Sequence, residues 1–283
     1  MSKKLLIMEK SIELFAENGF ESTSVQQITE RCGISKGAFY LYFKSKEELI
    51  TSLIDHFMSS IISDIEQSVR NETQTDKLLY NLLDVLFSTF QKQTNFTKFF
   101  IKEQVLTFNQ DLFAQLQMYT TIVNKTVLSI IQKQFAYTRQ EMHLDLLFTI
   151  NGFIKSYLEL FFIDDYEIDV DQLCKAIVEK VNIIAEHSTI PFITPEYLIK
   201  TKMQSAISKE QVMNLLKEAM DEIQEDVIIL DSLTLLLDDL TNPTLSEAIR
   251  QGLLNNLRTN NSCRWVAYIY DLYIKESSSA GKN

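Results

Sequence analysis

The sequence predicts an all-α protein, and three observations carry that expectation. Six Gly and three Pro in 283 residues are few, and these are the residues that punctuate sheets and turns and are costly inside helices. Apolar residues recur at helical spacing through most of the chain, the pattern of amphipathic helices. Several of these stripes begin after Ser or Thr with Gln or Glu three residues later, as in an N-terminal capping box.

The length allows one large core or two domains. With 46% hydrophobic and 23% charged residues the composition is that of an ordinary soluble globular protein. Apolar runs such as Val227–Leu230 and Leu235–Leu237 are far too short to span a bilayer. Lys3 and Lys4 precede an amphipathic segment without a small-residue cleavage site, so no signal peptide is read and a cytoplasmic location is expected. Cys32, Cys174 and Cys263 are far apart and odd in number, which fits neither a disulfide framework nor a metal knuckle. His56, His143 and His187 are isolated, and no Ser–His–acid set, phosphate loop or metal-ligand spacing appears. The expectation is therefore a non-enzyme with no cofactor and no metal site.

The net charge of −11 argues against nucleic acid until it is divided along the chain. Residues 1–50 carry seven Lys and Arg against seven Glu, and the remainder carries 20 basic against 31 acidic residues. An acidic body on a neutral head suits a protein that touches phosphate through its head alone.

In the head, Leu5, Met8, Ile12 and Phe15 mark a first helix, which Gly19 ends as a left-handed cap after Asn18. Thr23–Ser24–Val25–Gln26 has capping-box form and predicts a second helix that buries Val25, Ile28 and Cys32 and stops at Gly33. Ser35 caps the third helix after a turn of about three residues, the length a helix-turn-helix needs. Ser45–Lys46–Glu47–Glu48 opens a fourth helix.

Phe20–x–x–Thr23–Ser24–Val25–x–x–Ile28, then Gly33–Ile34–Ser35–Lys36–Gly37–x–x–Tyr40–x–x–Phe43 and Ser45–Lys46–Glu47–x–Leu49, resembles the N-terminal domain of the tetracycline-repressor (TetR) family over roughly residues 5–55. Thr29, Cys32 and Tyr42 stand where the family often has Ala, Ala and His, and Ala38 and Phe39 where Thr and Leu are frequent. The resemblance implies a three-helix helix-turn-helix domain at 1–46, a larger helical effector-binding and dimerisation domain at 47–190, and an unfamiliar helical extension at 191–283. It also implies a homodimer on double-stranded operator DNA.

A helix in the major groove needs a first turn free of bulk, and Ser35, Gly37 and Ala38 provide it. Lys36 is the long cation that would reach a guanine edge or a phosphate. Tyr40 and Tyr42 offer hydroxyls to phosphates, while Thr23, Ser24, Gln26 and Lys46 are expected to clamp flanking phosphates and set register. Ala38 and Tyr42 leave the base preference open.

Beyond Leu49, helices are read at 46–70, 76–94, 96–108, 111–138, 141–164 and 169–187, the last two placed where the family dimerises. The middle is rich in aromatic residues. Each is read first as core; as a set they suggest a pocket for a small apolar or amphipathic effector, with Phe99, Phe100, Phe108, Phe113, Tyr119, Phe148 and Tyr157 as candidate contacts. Glu103, Asp145 and Glu159 are read as solvated charges or partners for a cationic ligand. Gly152 allows either close helix approach or an opening beside a ligand.

In the extension, Thr194, Ser208–Lys209–Glu210–Gln211 and Thr244–Leu245–Ser246–Glu247 predict helices near 195–206, 208–224, 227–240, 244–258 and 263–276. Val227–Leu240 is expected to be buried, 264–274 to be helix or strand, and Ser277–Asn283 to be a disordered tail. Two functions remain. One is a ligand-responsive repressor released by a small lipophilic effector, with efflux or lipid-metabolism genes as targets; the other is an effector-independent DNA-bound protein whose acidic body docks a protein partner.

Overall fold

Helix boundaries follow their caps. The computed structural model describes residues 3–102, 110–162, 167–193, 207–223 and 226–280, with side-chain surroundings given except at 100–102, 110–114, 162 and 278–280. The regular elements are all helical among the described residues, and they divide into two compact units, Met1–Thr201 and Lys202–Asn283.

The first unit begins with α1 (Lys3–Asn18), α2 (Val25–Cys32), α3 (Lys36–Tyr40) and α4 (Lys46–Asn71). The buried stripe of α1 is Ile7, Met8, Ser11, Leu14 and Phe15, rotated from the expected one, since Leu5 is exposed and Ile12 half-buried. Ser11 is tolerated inside because its hydroxyl donates to the Ile7 carbonyl at 2.6 Å. Gly19 and Gly33 take positive φ, 86° and 66°, which glycine adopts without steric cost. In α2, Ile28 and Thr29 are the buried residues, whereas Val25 and Cys32 are only half-buried.

The body follows with α5 (Leu78–Lys92), α6 (Thr94–Lys102), α7 (Gln110–Gln134), α8 (His143–Leu158) and α9 (Val170–His187). Helix α4 packs on α5 and α7, α5 on α9, and α7 on α8. Rings join the layers: Phe57 of α4 stacks on Phe96 of α6 at 3.6 Å and meets Phe90 of α5 edge-on at 5.4 Å. Beyond α9 the chain is tied back by Asp145, whose carboxylate accepts from the Phe192 and Ile193 amides at 3.0 and 3.1 Å. Asp145 is thus a strap for the linker. Glu103 lies outside the described residues, and Glu159 is exposed. A Cβ at Gly152 would meet nothing within 4 Å, so no close helix approach occurs there within the described chain.

The second unit holds α10 (Lys209–Glu222), α11 (Val227–Thr241), α12 (Glu247–Thr259) and α13 (Arg264–Ala280). The segment 264–274 is helix, and α13 continues to Ala280, so residues 277–280 are not a disordered tail. The expected helix at 195–206 lies outside the described residues. Helix α11 buries Ile229, Leu233, Leu236 and Leu240 but leaves Val227 and Ile228 about two-thirds exposed, at 67% and 65%. The apolar run is therefore buried on one face only. Its buried polar residues are Ser232 and Asp239, and Asp239 accepts the Thr244 and Leu245 amides, Arg250 Nε at 2.9 Å and the Tyr270 hydroxyl at 3.0 Å.

Candidate nucleic-acid interface

The head is assembled around Phe15, Phe20, Ile28, Phe39, Phe43 and Leu49, all nearly inaccessible. With Phe39 and Phe43 facing inward, the residues between and before them must face outward, which is how the recognition turn becomes bare. Ser35 caps α3, its Oγ accepting from the Ala38 amide at 3.2 Å. The side chains of Ser35, Lys36, Tyr40 and Tyr42 are exposed, Gly37 presents open backbone, and Ala38 is half-buried. Tyr40 and Tyr42 are 53% and 38% exposed, and the Tyr40 ring rests edge-on against Phe39, centroids 5.4 Å apart.

Helix α2 starts one residue later than its sequence suggests. Ser24, not Thr23, is its cap, in a full capping box with Gln27: the Gln27 amide donates to Ser24 Oγ at 3.2 Å and the Ser24 amide to Gln27 Oε1 at 2.7 Å. Thr23 is buried, with its hydroxyl donating to the Gly19 carbonyl at 2.8 Å. It is a structural residue and no phosphate clamp. Gln26 is exposed and bonded to both neighbours, giving its amide to Glu30 at 2.9 Å and accepting from Lys36 Nζ at 3.3 Å. Lys36 and Gln26 therefore project together from adjacent helices.

Lys46 also departs from expectation. Its Nζ donates to the carbonyls of Phe20 at 2.6 Å and Thr23 at 3.0 Å and lies 4.2 Å from the Phe20 ring centroid. Two of its three donors are engaged inside the head, so it is first a clamp between α4 and the α1–α2 loop. Two further residues share the bare turn and were passed over in the sequence: Leu41, 83% exposed, and Lys44, also exposed. A large apolar side chain is thus left in water beside Tyr40 and Tyr42. The readable signal was that Leu41 falls off the inward spacing of Phe39 and Phe43.

The expected effector contacts separate. Phe99 is fully buried against Phe15 of α1, ring centroids 5.6 Å apart, and so couples α6 to the head. Tyr119 is also fully buried, and its hydroxyl donates to Asp55 of α4, to which Gln115 Nε2 donates as well at 2.8 Å. Burial, together with the adjacent Asp55 carboxylate, pushes the Tyr119 hydroxyl well above its ordinary pKa. Phe148 and Tyr157 are half-buried on α8. Phe108 lies outside the described residues, as do the side chains of Phe100 and Phe113. No described helix is long and apolar enough to cross a membrane.

Residues 7–53 match the family model of bacterial regulatory proteins of the tetR family. The HTH-type transcriptional regulator YerO of Bacillus subtilis (strain 168) is 25% identical over 92% of this chain and 91% of its own length, so that likeness reaches into the second unit. A transcriptional regulator of Aquifex aeolicus VF5 superposes with a TM-score of 0.52 at 28% identity, covering 65% of this chain and 99% of that one. The fold is also that of the transcriptional regulator FadR from Bacillus subtilis, solved in complex with stearoyl-CoA, with a TM-score of 0.56, 20% identity and coverage of 62% and 96%. Residues 7–53 are thus a helix-turn-helix domain of the tetracycline-repressor (TetR) family, and the chain that carries it is similar along most of its length to DNA-binding transcriptional regulators rather than to enzymes.

Proposed function

We propose that the chain is an effector-responsive repressor that binds a palindromic operator as a homodimer and is released by a small lipophilic molecule, an acyl thioester being the first candidate class. The observation that carries the DNA half is the bare turn from Ser35 to Tyr42, held rigid by the buried Phe39 and Phe43. One such short turn supplies few base contacts, so two copies related by a twofold axis are needed for specificity. Helices α8 and α9 provide the pairing surface. The Phe15–Phe99 contact supports the effector half, because anything that shifts α6 is felt by α1. Stearoyl-CoA on a neighbour of the same fold supports the ligand class.

An effector that binds the released geometry about a hundredfold better than the DNA-bound one lowers operator affinity by roughly 2.7 kcal/mol. The test is a duplex selected from a random-sequence pool by the full-length protein, challenged with stearoyl-CoA. Expected are a raised melting temperature and release of the duplex. Neither effect with stearoyl-CoA, nor with other long-chain amphiphiles, would sink the effector half. Exposed Val227 and Ile228 in the second unit favour a second reading, a protein-docking role for the extension; a protein that co-purifies with the chain while no lipid stabilises it would support that reading.

A further inference from the structure

Helix α4 belongs to two regions at once. Its first turns close the head core through Leu49 and Ile50, both essentially inaccessible, and under two turns later Asp55 meets α7. There the Asp55 carboxylate accepts from the Tyr119 hydroxyl and from Gln115 Nε2. The neighbouring contacts of α4 are apolar, with Leu53 and Ile54 buried and Phe57 against Phe96 of α6 and Phe90 of α5, and apolar contacts are tolerant of small sliding because burial is non-directional. A carboxylate with two donors is not tolerant: both must be in place and aligned. Tyr119 is fully buried, so its hydroxyl gives up the Asp55 carboxylate only by losing a buried bond. The orientation of Gln115 points the same way. Its Oε1 is buried with no hydrogen-bond partner among the described residues, a cost accepted because turning the amide over would aim that oxygen at the Asp55 carboxylate.

We propose that Asp55 is a positioning residue for DNA binding: Tyr119 and Gln115 of α7 hold its carboxylate, and through it α4, in the pose from which the head meets the duplex. The latch selects one register of α4 on α7, and non-directional apolar contacts alone do not. Tyr119 therefore acts on the operator from the body, without touching an effector. This inference rests on the DNA-binding reading of the head and is independent of the effector reading.

The experiment uses the full chain and a duplex that the wild-type protein selects from a random pool, with Asp55→Asn, Tyr119→Phe and their double variant. Each single variant is expected to bind that duplex at least tenfold more weakly, and the double no more than about threefold below the weaker single, since both remove the same restraint. The salt slope of binding stays at the wild-type value, because the phosphate contacts in the head are intact. If Asp55→Asn does not reach wild-type helix content, Tyr119→Phe with Gln115→Leu removes both donors from the other side. Affinities within twofold of wild type, even with a lowered melting temperature, would reduce the trio to a packing detail and overturn the proposal; so would losses that multiply in the double variant. A wild-type chain that selects no duplex would overturn the reading of the head, and this proposal with it.

Discussion

The head and the C-terminal unit each hang on one charged side chain that ties a turn to a helix, and they do so at opposite depths. In the head, Lys46 gives two donors to the carbonyls of Phe20 and Thr23 and remains half-buried. In the C-terminal unit, Asp239 is 2% exposed and saturated by two amides, Arg250 and Tyr270. The head keeps its charged side chains out of the core, toward the surface where DNA will replace water, and buries only hydroxyls, those of Ser11, Thr23 and Thr29. The C-terminal unit has no such duty near Asp239 and turns its polar groups inward, where each becomes indispensable. Depth, more than the number of bonds, sets the cost of removal.

Asp239→Ala therefore has the largest expected effect. It takes the acceptor from Arg250 Nε, the Tyr270 hydroxyl and two amides, and should destabilise the C-terminal unit by about 3–5 kcal/mol, read as loss of a urea transition in the full chain. Burial alone would raise the Asp239 pKa, but the Leu245 amide, Arg250, the Thr244 amide and Tyr270 outweigh it and hold it below the usual carboxylate value. Asp271 is held low in the same way, with Lys275, Gln251 and Arg258 opposing the effect of burial. For a lowered carboxylate the stabilisation is complete above its unfolded pKa, about 3.9, and disappears as pH falls through the folded value. The acid loss of the C-terminal unit should then lie below about pH 4; a transition already under way at pH 6 would break the contrast with the head.

Lys46→Met comes next. It keeps the aliphatic stem over Phe20 but leaves two carbonyls without their charged donor, which should cost about 2 kcal/mol of stability. Stability at the wild-type value, with only operator affinity reduced, would show that Lys46 serves phosphate alone and that the comparison with Asp239 is misplaced.

The bonds from Lys46 to the Phe20 and Thr23 carbonyls mark where sequence ceases to inform. The inward spacing of Phe39 and Phe43, the glycine at 33 and the cap at Ser35 are local, and each leaves a local mark. The cap of α2 is also local but ambiguous: Thr23 and Ser24 each have a Gln three residues on, and only the Gly19 carbonyl, which takes the Thr23 hydroxyl, decides between them. Before α12 the sequence misleads instead, because Thr244 has Glu247 three residues on while Ser246, the cap, has Ile249. The choice is settled by Asp239, which holds the Thr244 amide and leaves Ser246 to cap. Phe99 against Phe15, and Asp55 beneath Tyr119, join residues more than sixty positions apart. No periodicity encodes such a meeting, so these residues could be read only as aromatic core or as an unremarked acid.

Lys36→Ala separates affinity from stability in the head. The side chain is exposed and its bond to Gln26 is long, at 3.3 Å, so the melting temperature should not move. Operator affinity should fall roughly tenfold, about 1.4 kcal/mol, with the salt slope smaller by about 0.9 if the contact is to phosphate. A loss confined to one base pair, at unchanged slope, would instead make Lys36 a guanine reader.

The smallest expected effect tests the depth rule on a surface turn of the C-terminal unit. Ser246 accepts from the Ile249 amide at 3.4 Å, a long bond at an exposed cap, so Ser246→Ala should cost about 0.5–1 kcal/mol. Thr244→Ala should cost less than that, because its backbone amide, which the substitution keeps, is what Asp239 holds. Equilibrium unfolding of the two variants side by side resolves the order. If Thr244→Ala is the more damaging, the cap is Thr244 in solution, and the Asp239 turn is looser than its four partners imply.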